Sequence, residues 1–135
     1  MKNLEKEFVP YKESLELKEL GFNEPCLFGF DNCSTPMRCS DLRTNDQKFN
    51  GVNYNSSTYT SQPTFSQAFR WFREKHGLSA QFSYYYVPKW TFEILEFTDM
   101  KITPNKVVSE HSKERTYEEA ELACLRKLIE IVKNK

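Results

Sequence analysis

The chain lacks an excess of charge of either sign, because its 135 residues include 19 Lys and Arg and 19 Asp and Glu. Proteins drawn to nucleic acid or anionic lipid by their overall field carry net positive charge, so a polyanion site here would have to be a local patch. No run approaches the roughly 20 apolar residues of a membrane span. Residues 1–7 alternate charge, unlike the apolar stretch of a signal peptide. We therefore expect a cytoplasmic protein that does not use a membrane.

The sequence also lacks the patterns that mark active sites. It contains no nucleophile elbow, HExxH pair, phosphate-binding loop or glycine-rich fingerprint. Its two histidines, His76 and His111, stand outside any such pattern. Glu93 and Glu96 would face opposite sides of a regular strand, which weakens them as an acid–base pair. We expect a noncatalytic protein without a cofactor.

Cysteine is present four times, but the spacing is not that of a metal site. Six and five residues separate Cys26, Cys33 and Cys39, whereas zinc knuckles use the tight C-x2-C spacing. Without a secretory signal the thiols should stay reduced. Cys124 falls on the apolar face of the last helix and should pack as a small hydrophobe. We interpret the cysteines as ordinary thiols and predict no metal, with zinc binding and redox chemistry as the alternatives.

The length suits one domain, and the patterns predict an α+β fold. Residues 1–40 should form a helix and a short hairpin. The helix is predicted from Tyr11 to Leu20, between Pro10 and the Gly21-Phe22 stop signal. The hairpin should pair residues 26–30 with residues 37–40.

Residues 41–63 are rich in Asn, Ser, Thr and Gln, which favours a long surface loop or a partly disordered insertion. An extra strand near Val52 to Tyr59 is the alternative. Loops of this length are often functional, so its aromatic residues Tyr54 and Tyr59 are candidate partner-binding residues.

Residues 64–135 predict an α-β-β-β-α core with an antiparallel sheet packed on helices. Thr64 and Gln67 form a capping-box pattern before a helix that should stop at Gly77, and Thr116 with Glu119 repeats the pattern. Between the helices we predict three strands, and the final helix should run to Lys133. The predicted strands are Ser79 to Val87, Trp90 to Phe97, and a third that includes Lys106 to Ser109. The alternation of the second strand breaks at Leu95, which indicates either a bulge or a sheet covered on both faces.

Eleven of the twenty aromatic residues lie between Phe65 and Phe97. Such rings could build the core, contact a protein partner or stack on unpaired bases, and core packing is the interpretation we favour because Lys89 is the only basic residue between Ser79 and Phe97. Trp71 lies off the apolar stripe of its helix, so it either flanks a wide core or is an exposed anchor. The candidate partner-binding residues of this half are Trp71, Arg70, Arg73 and Tyr85.

The span Thr64 to Val132, with Lys75-His76-Gly77-Leu78 closing its first helix, resembles the double-stranded-RNA-binding domain in its order of elements. That family holds phosphates with lysines at the start of its last helix and enters a minor groove with a histidine-bearing loop. Here the helix start is Glu118-Glu119-Ala120-Glu121, and the loop region Val87-Pro88-Lys89-Trp90 has no histidine. The resemblance therefore implies the fold without the RNA contacts.

A second resemblance covers nearly everything except the middle segment. It is carried by Phe8-Val9-Pro10-Tyr11, Lys18-Glu19-Leu20-Gly21-Phe22 with Glu24-Pro25-Cys26, residues 68–76, and the stretch from Tyr117 onward. These are similar to small uncharacterised proteins encoded by phages and prophages of gut anaerobes. The resemblance implies an accessory protein of a mobile element, without known site residues.

Together these patterns predict a noncatalytic accessory protein that binds another protein. The alternative is a nucleic-acid binder that uses a surface other than the usual contacts of the RNA-binding domain. Two basic groups could form such a surface. One is Arg38, Arg43 and Lys48, and the other is Arg70 and Arg73 with Trp71.

Overall fold

The computed structural model describes residues 4–31, 36–38, 55, 59–86, 89–97, 105–110 and 116–135. The chain divides into two compact units, Met1–Thr64 and Phe65–Lys135. Each unit combines helix with an antiparallel three-stranded sheet, which confirms the predicted α+β class. The second unit begins one residue after the predicted start of the α-β-β-β-α core. The prediction of a single domain stays a prediction.

The first unit contains one α-helix, a short 3-10 helix and three strands. The elements are the 3-10 helix Leu4–Glu7, α1 Tyr11–Glu19, β1 Phe28–Asp31, β2 Pro36–Arg38 and β3 Tyr59–Gln62. The central strand is β1, which pairs with β2 on one side and β3 on the other. The predicted hairpin is therefore confirmed, and α1 packs against β3.

Helix α1 ends as its sequence predicts. Gly21 has a φ of 98°, in the left-handed region that favours glycine. The Gly21 N–H donates to the carbonyl of Lys18 at 3.1 Å, and the Phe22 N–H donates to that of Leu17 at 3.0 Å. This is the Schellman pattern, in which the left-handed residue satisfies carbonyls that the helix leaves open. Phe22 and Leu17 are both buried.

Strand β3 corrects the prediction that residues 41–63 form a loop, which is wrong for residues 59–62. The alternative strand near Val52 to Tyr59 overlaps it only at Tyr59. A polar segment becomes a strand here because β1 has a second side whose backbone groups need partners. Thr60 and Ser61 are buried, and the Ser61 N–H donates to Oδ1 of Asn55 at 2.8 Å. Residues 41–54 and 56–58 lie outside the described residues.

The second unit contains the five predicted elements in the predicted order. They are α2 Phe65–His76, β4 Leu78–Tyr86, β5 Lys89–Glu96, β6 Asn105–Glu110 and α3 Tyr117–Lys133. The sheet order is β4-β5-β6, antiparallel throughout. The ring of Phe82 on β4 contacts both Phe69 on α2 and Tyr117 on α3, so the two helices cover the same face of the sheet.

The core of the second unit lies between that face and the two helices. Phe92 and Ile94 alternate with more polar residues along β5 and are completely buried. Cys124 is also completely buried, which confirms its prediction as a small core residue. The helical residues buried in this unit are Phe65, Ala68, Phe69, Trp71, Phe72, Ala120, Cys124, Leu125, Leu128 and Ile129.

Two irregularities shape the sheet. Ile94 pairs with Val108 but Leu95 pairs with Lys106, so β6 carries one extra residue at the point where the alternation of β5 breaks. The register shift thus coincides with the break in alternation, but its extra residue, Val107, lies on β6 and not on β5, where the sequence placed the possible bulge. The second irregularity lies in β4, where Tyr84 pairs with Trp90 and Tyr86 pairs with Lys89.

Helix α3 begins at the predicted cap. The Thr116 hydroxyl accepts a hydrogen bond from the Glu119 N–H at 3.3 Å and lies 3.1 Å from Oε1 of the same glutamate, to which it donates. Glu119 therefore bonds the hydroxyl of its capping residue, whereas in a full capping box it would bond the backbone N–H. Among the helices that the structure describes, none is long and apolar enough to cross a membrane.

Candidate functional site

A continuous row of aromatic rings runs through the second unit. It begins at Phe65 and Phe69 on α2, whose ring centroids are 6.2 Å apart. Phe82 on β4 follows, 5.6 Å from Phe69. The remaining contacts are Phe82 to Tyr117 at 5.4 Å, Tyr117 to Trp90 at 4.8 Å and Trp90 to Tyr84 at 5.0 Å. All five distances lie in the range of directly interacting rings.

The row passes from the core to the surface. Phe65 is 5% exposed, whereas Tyr117 is 38% exposed and Tyr84 is 50% exposed. Trp90, between these two tyrosines, is partly buried. We call Tyr84, Trp90 and Tyr117 the aromatic ledge. The ledge is the part of the helix-facing side of the sheet where large rings reach solvent.

The irregularity in β4 is what aligns the ledge. A regular ladder continued from the Tyr86–Lys89 pair would place Tyr84 opposite Thr91 and Phe82 opposite Glu93. The extra residue, Tyr85, shifts the register so that aromatic residues face each other: Phe82 pairs with Phe92, and Tyr84 with Trp90. The first residue of α3 then brings Tyr117 against Trp90, in an edge-to-face contact with an interplanar angle of 74°.

Carboxylates follow Tyr117, the ledge residue of α3, in the first turns of that helix. Glu118 and Glu119 are exposed, and Glu121 is partly buried. At 1.5 Å of rise per residue, all three lie within about 6 Å of Tyr117 along the helix axis, and Glu121, four residues on, is the one that shares its side of the helix. Lys89 precedes Trp90 on β5 and, by the alternation of strand side chains, belongs to the opposite face. The described charges nearest to the ledge along α3 are therefore negative.

The structure separates the predicted site residues of α2. Arg70 and Arg73 are exposed, three residues apart on the helix surface. Trp71 is only 4% exposed, and its ring contacts Phe72 at 5.1 Å and His76 at 4.9 Å. The exposed-anchor interpretation of Trp71 is therefore wrong, and its alternative as the flank of a wide core is confirmed. The proposed basic surface of Arg70 and Arg73 loses its tryptophan for the same reason.

The remaining predicted site residues are not gathered into one site by the described contacts. Tyr85 is the extra residue of β4. Tyr59 is a partly buried residue of β3 in the first unit, and its carbonyl accepts a hydrogen bond from Lys18 Nζ at 3.0 Å. Tyr54 lies outside the described residues, as do Arg43 and Lys48, and Arg38 belongs to β2.

His76, the last residue of α2, packs against aromatic rings of the same helix. Its ring contacts Trp71 and, at 5.9 Å, Phe72, and its Nε2 is buried without a hydrogen-bond partner among the described residues. Burial, followed by the positive charge of Lys135, lowers the pKa of His76 below its ordinary value. Desolvation thus outweighs the preference of a helix C-terminus for a cation. Within the described ranges, no three His, Cys, Asp or Glu residues lie together as potential metal ligands.

The ledge residues were not among the predicted site residues, although the sequence analysis noted the density of rings around them. Their spacing places Tyr84 and Trp90 on predicted strands, but only the register brings them together. A partial signal was the capped start of α3, which fixes Tyr117 as a first helical residue. Comparison of the chain with models of known protein families, with curated proteins and with solved structures finds no match.

Proposed function

We propose that this protein is a noncatalytic interaction module that binds a protein partner through the aromatic ledge. The observation that carries the proposal is the row of contacting rings that begins in the core at Phe65 and ends at the exposed rings of Tyr84 and Tyr117. Large aromatic residues are the side chains that most often dominate protein interfaces.

The packing of the ledge favours binding, and so does its composition. Each exposed tyrosine is in contact with Trp90, which limits the motion of both rings. A partner that covers rings already held in place loses less conformational entropy than one that must order flexible side chains. Each ring can also offer an apolar face together with a polar edge, a combination suited to interfaces that open and close in water.

The charges beside the ledge favour a protein over a nucleic acid. Aromatic platforms that stack on bases normally stand in a positively charged groove, because phosphate neutralisation supplies much of the affinity. Glu118 and Glu119, which follow Tyr117 in the first turn of α3, are exposed and would repel a phosphate backbone that approached this end of the helix. The resemblance to phage and prophage proteins supports a role as an accessory protein of a mobile element, acting in the cytoplasm of the cell that carries it.

A photocrosslinking experiment with neighbouring positions tests the proposal. A benzophenone amino acid replaces Tyr84 in one variant and Ser83 in the other, in full-length protein produced in cells that carry the gene. Both side chains are exposed, but they point to opposite faces of β4. We expect position 84 to yield a discrete crosslinked protein after irradiation and position 83 to yield none of that species.

Three results would contradict the proposal. They are equal crosslinking of the same protein from both positions, crosslinking of nucleic acid from position 84, and the absence of any discrete product from position 84. Circular dichroism of both variants, compared with the unmodified protein, checks that the fold is retained.

A further inference from the structure

We propose that β4 is a self-association surface, along which two copies of this chain pair in antiparallel fashion about a twofold axis at Gln81. The pairing joins the sheets of their second units into one sheet. It goes beyond the proposed function and does not depend on it, because the backbone of β4 makes the contact and the rings of the ledge do not. Three observations support it: the open edge of β4, the lack of the features that protect such edges, and the self-complementarity of the strand.

The first observation is a row of backbone groups that points away from the sheet. β4 is an edge strand of nine residues in the order β4-β5-β6. The Gly77 carbonyl accepts a hydrogen bond from the Phe97 N–H at 2.9 Å, and the Ser83 carbonyl accepts one from the Thr91 hydroxyl at 3.5 Å. Both carbonyls therefore point toward β5. Because the direction alternates along an antiparallel strand, the residues that turn their N–H and C=O groups outward are Leu78, Ala80, Phe82 and Tyr84.

These outward groups have no hydrogen-bond partner in the part of the chain that the structure describes. There, β5 is the one strand that pairs with β4, and the outward backbone groups bond to no other residue. Gln81 and Ser83, which lie among the four outward residues, have exposed side chains. A row of unpaired backbone groups is a template for another strand.

The second observation is that β4 lacks the usual protection of an edge. Natural edge strands are protected by charged residues, by proline, by bulges or by their shortness. The opposite edge of the same sheet, β6, contains Lys106, Glu110 and the extra residue Val107. In the first unit, the edge strands β2 and β3 have only three and four residues. β4 has nine residues without a charge or a proline, and its irregularity at Tyr85 lies beyond the regular run 78–84.

The third observation favours a second copy as the added strand. The midpoint of the regular run is Gln81. A twofold axis there places all four outward residues in hydrogen-bonded pairs, in which each residue donates to and accepts from its partner. The pairs are Leu78 with Tyr84 and Ala80 with Phe82. No other position of the axis pairs all four of these residues.

The side chains also match in this register. On the helix-facing side of the sheet, Leu78 and Ala80 of one copy lie opposite the aromatic residues Tyr84 and Phe82 of the other. On the opposite side, the two facing serines are Ser79 and Ser83, and Gln81 faces its own copy. Like charges that face each other across two strands destabilise the pair, and this run contains none. The strand thus has the self-complementarity that a twofold interface requires.

Sedimentation velocity of the full-length chain at concentrations up to about 1 mM measures the association. We expect a monomer–dimer equilibrium. Ala80→Pro removes an outward N–H from each copy, at a position where an edge strand tolerates proline, and the loss of two hydrogen bonds should weaken the dimer at least about fivefold. Ser109→Pro is the matched control on β6. Its partner Glu93 turns its backbone toward β4, so the Ser109 N–H also points away from the sheet, and this variant should dimerise as the wild type does.

Cysteine substitutions test the register. Residues that face each other in a non-hydrogen-bonded antiparallel pair have Cα atoms about 4.5 Å apart, a distance that suits a disulfide. Gln81→Cys meets its own copy in such a pair, whereas the two copies of Ser83→Cys lie four positions apart, or roughly 13 Å. Under mild oxidation we expect Gln81→Cys to form a disulfide-linked dimer about tenfold faster than Ser83→Cys. The wild type, with four cysteines of its own, gives the baseline.

A chain that stays monomeric, a dimer that Ala80→Pro leaves intact, or equal crosslinking of the two cysteine variants would overturn the proposal. If circular dichroism shows that Ala80→Pro has lost its fold, the two cysteine variants still decide. A captured second copy and a captured foreign protein differ in mass in the photocrosslinking experiment, so either proposal can fail while the other stands.

Discussion

Gly77 is the position at which the structure makes the sharpest prediction about stability. Its φ of 65° lies in the left-handed region, where its N–H donates to the carbonyl of Arg73 at 3.2 Å and closes α2. Its own carbonyl accepts a hydrogen bond from the Phe97 N–H at 2.9 Å. The same residue therefore ends the helix and holds the end of β5.

Gly77→Ala should destabilise the second unit by about 1–3 kcal/mol. Placing a Cβ in the left-handed conformation costs about 1–2 kcal/mol. Reduced freedom of the unfolded chain offsets roughly 0.4–1 kcal/mol of this cost. The new Cβ would also lie 3.0 Å from the carbonyl oxygen of Phe97, which is backbone and has little room to move. This close contact adds to the free-energy cost, so the net destabilisation is at least as large as the cost of the left-handed conformation alone.

Chemical denaturation followed by tryptophan fluorescence measures this loss directly. Both tryptophans of the chain, Trp71 and Trp90, belong to the same unit as Gly77. Gly77→Asn is the matched variant, because asparagine tolerates the left-handed region better than alanine but carries the same Cβ. We expect the order of stability to be wild type, then Gly77→Asn, then Gly77→Ala. A Gly77→Ala protein within about 0.5 kcal/mol of wild type, the range of an ordinary surface change, would refute the reasoning.

Two further predictions concern the ends of the helices. Thr116→Ala removes the hydroxyl that accepts a hydrogen bond from the Glu119 N–H and should lower the free energy of unfolding by about 0.5–2 kcal/mol. Thr116→Ser keeps a hydroxyl at this position and should retain most of the stability. Thermal denaturation of the two variants checks this prediction, and equal losses of stability would contradict it. The pKa of His76 is lowered in the folded state, so the unfolded chain binds this proton at higher pH than the folded chain, and the stabilisation by neutral His76 is lost as the pH falls from about 6.5 toward the lowered value. His76→Phe should therefore flatten the dependence of stability on pH in that window. Denaturation titrations at a series of pH values check this, and a variant that kept the wild-type slope would contradict the prediction.

The helices were predictable because their ends are encoded locally. Pro10, Gly21, Gly77 and Thr116 each act within one turn of their own position, through φ or a hydrogen bond to a near neighbour. The apolar spacing between them then identified the buried faces. For this reason the bounds of α3 agree with the prediction at both ends.

Strand β3 and the ledge were not predictable in the same way, because both depend on pairing with distant residues. β3 is a polar segment, and it becomes a strand because β1, about thirty residues earlier, offers an open edge. The ledge depends on one extra residue in β4, which the local sequence does not mark. Trp71 differs from both, since its spacing left two explanations open and its burial decides between them.

The irregularity at Tyr85 has a consequence for how this protein can change over evolutionary time. Because of this irregularity, the length of the connection after Tyr86 can change without a change in the register that aligns Phe82 with Phe92. A gain or loss of one residue at this end of the hairpin can be taken up where the ladder is already irregular, while the pairs that cover the core keep their alignment. A change in length at this end of the hairpin therefore leaves the residue pairs that cover the core, and the fold that depends on them, in place.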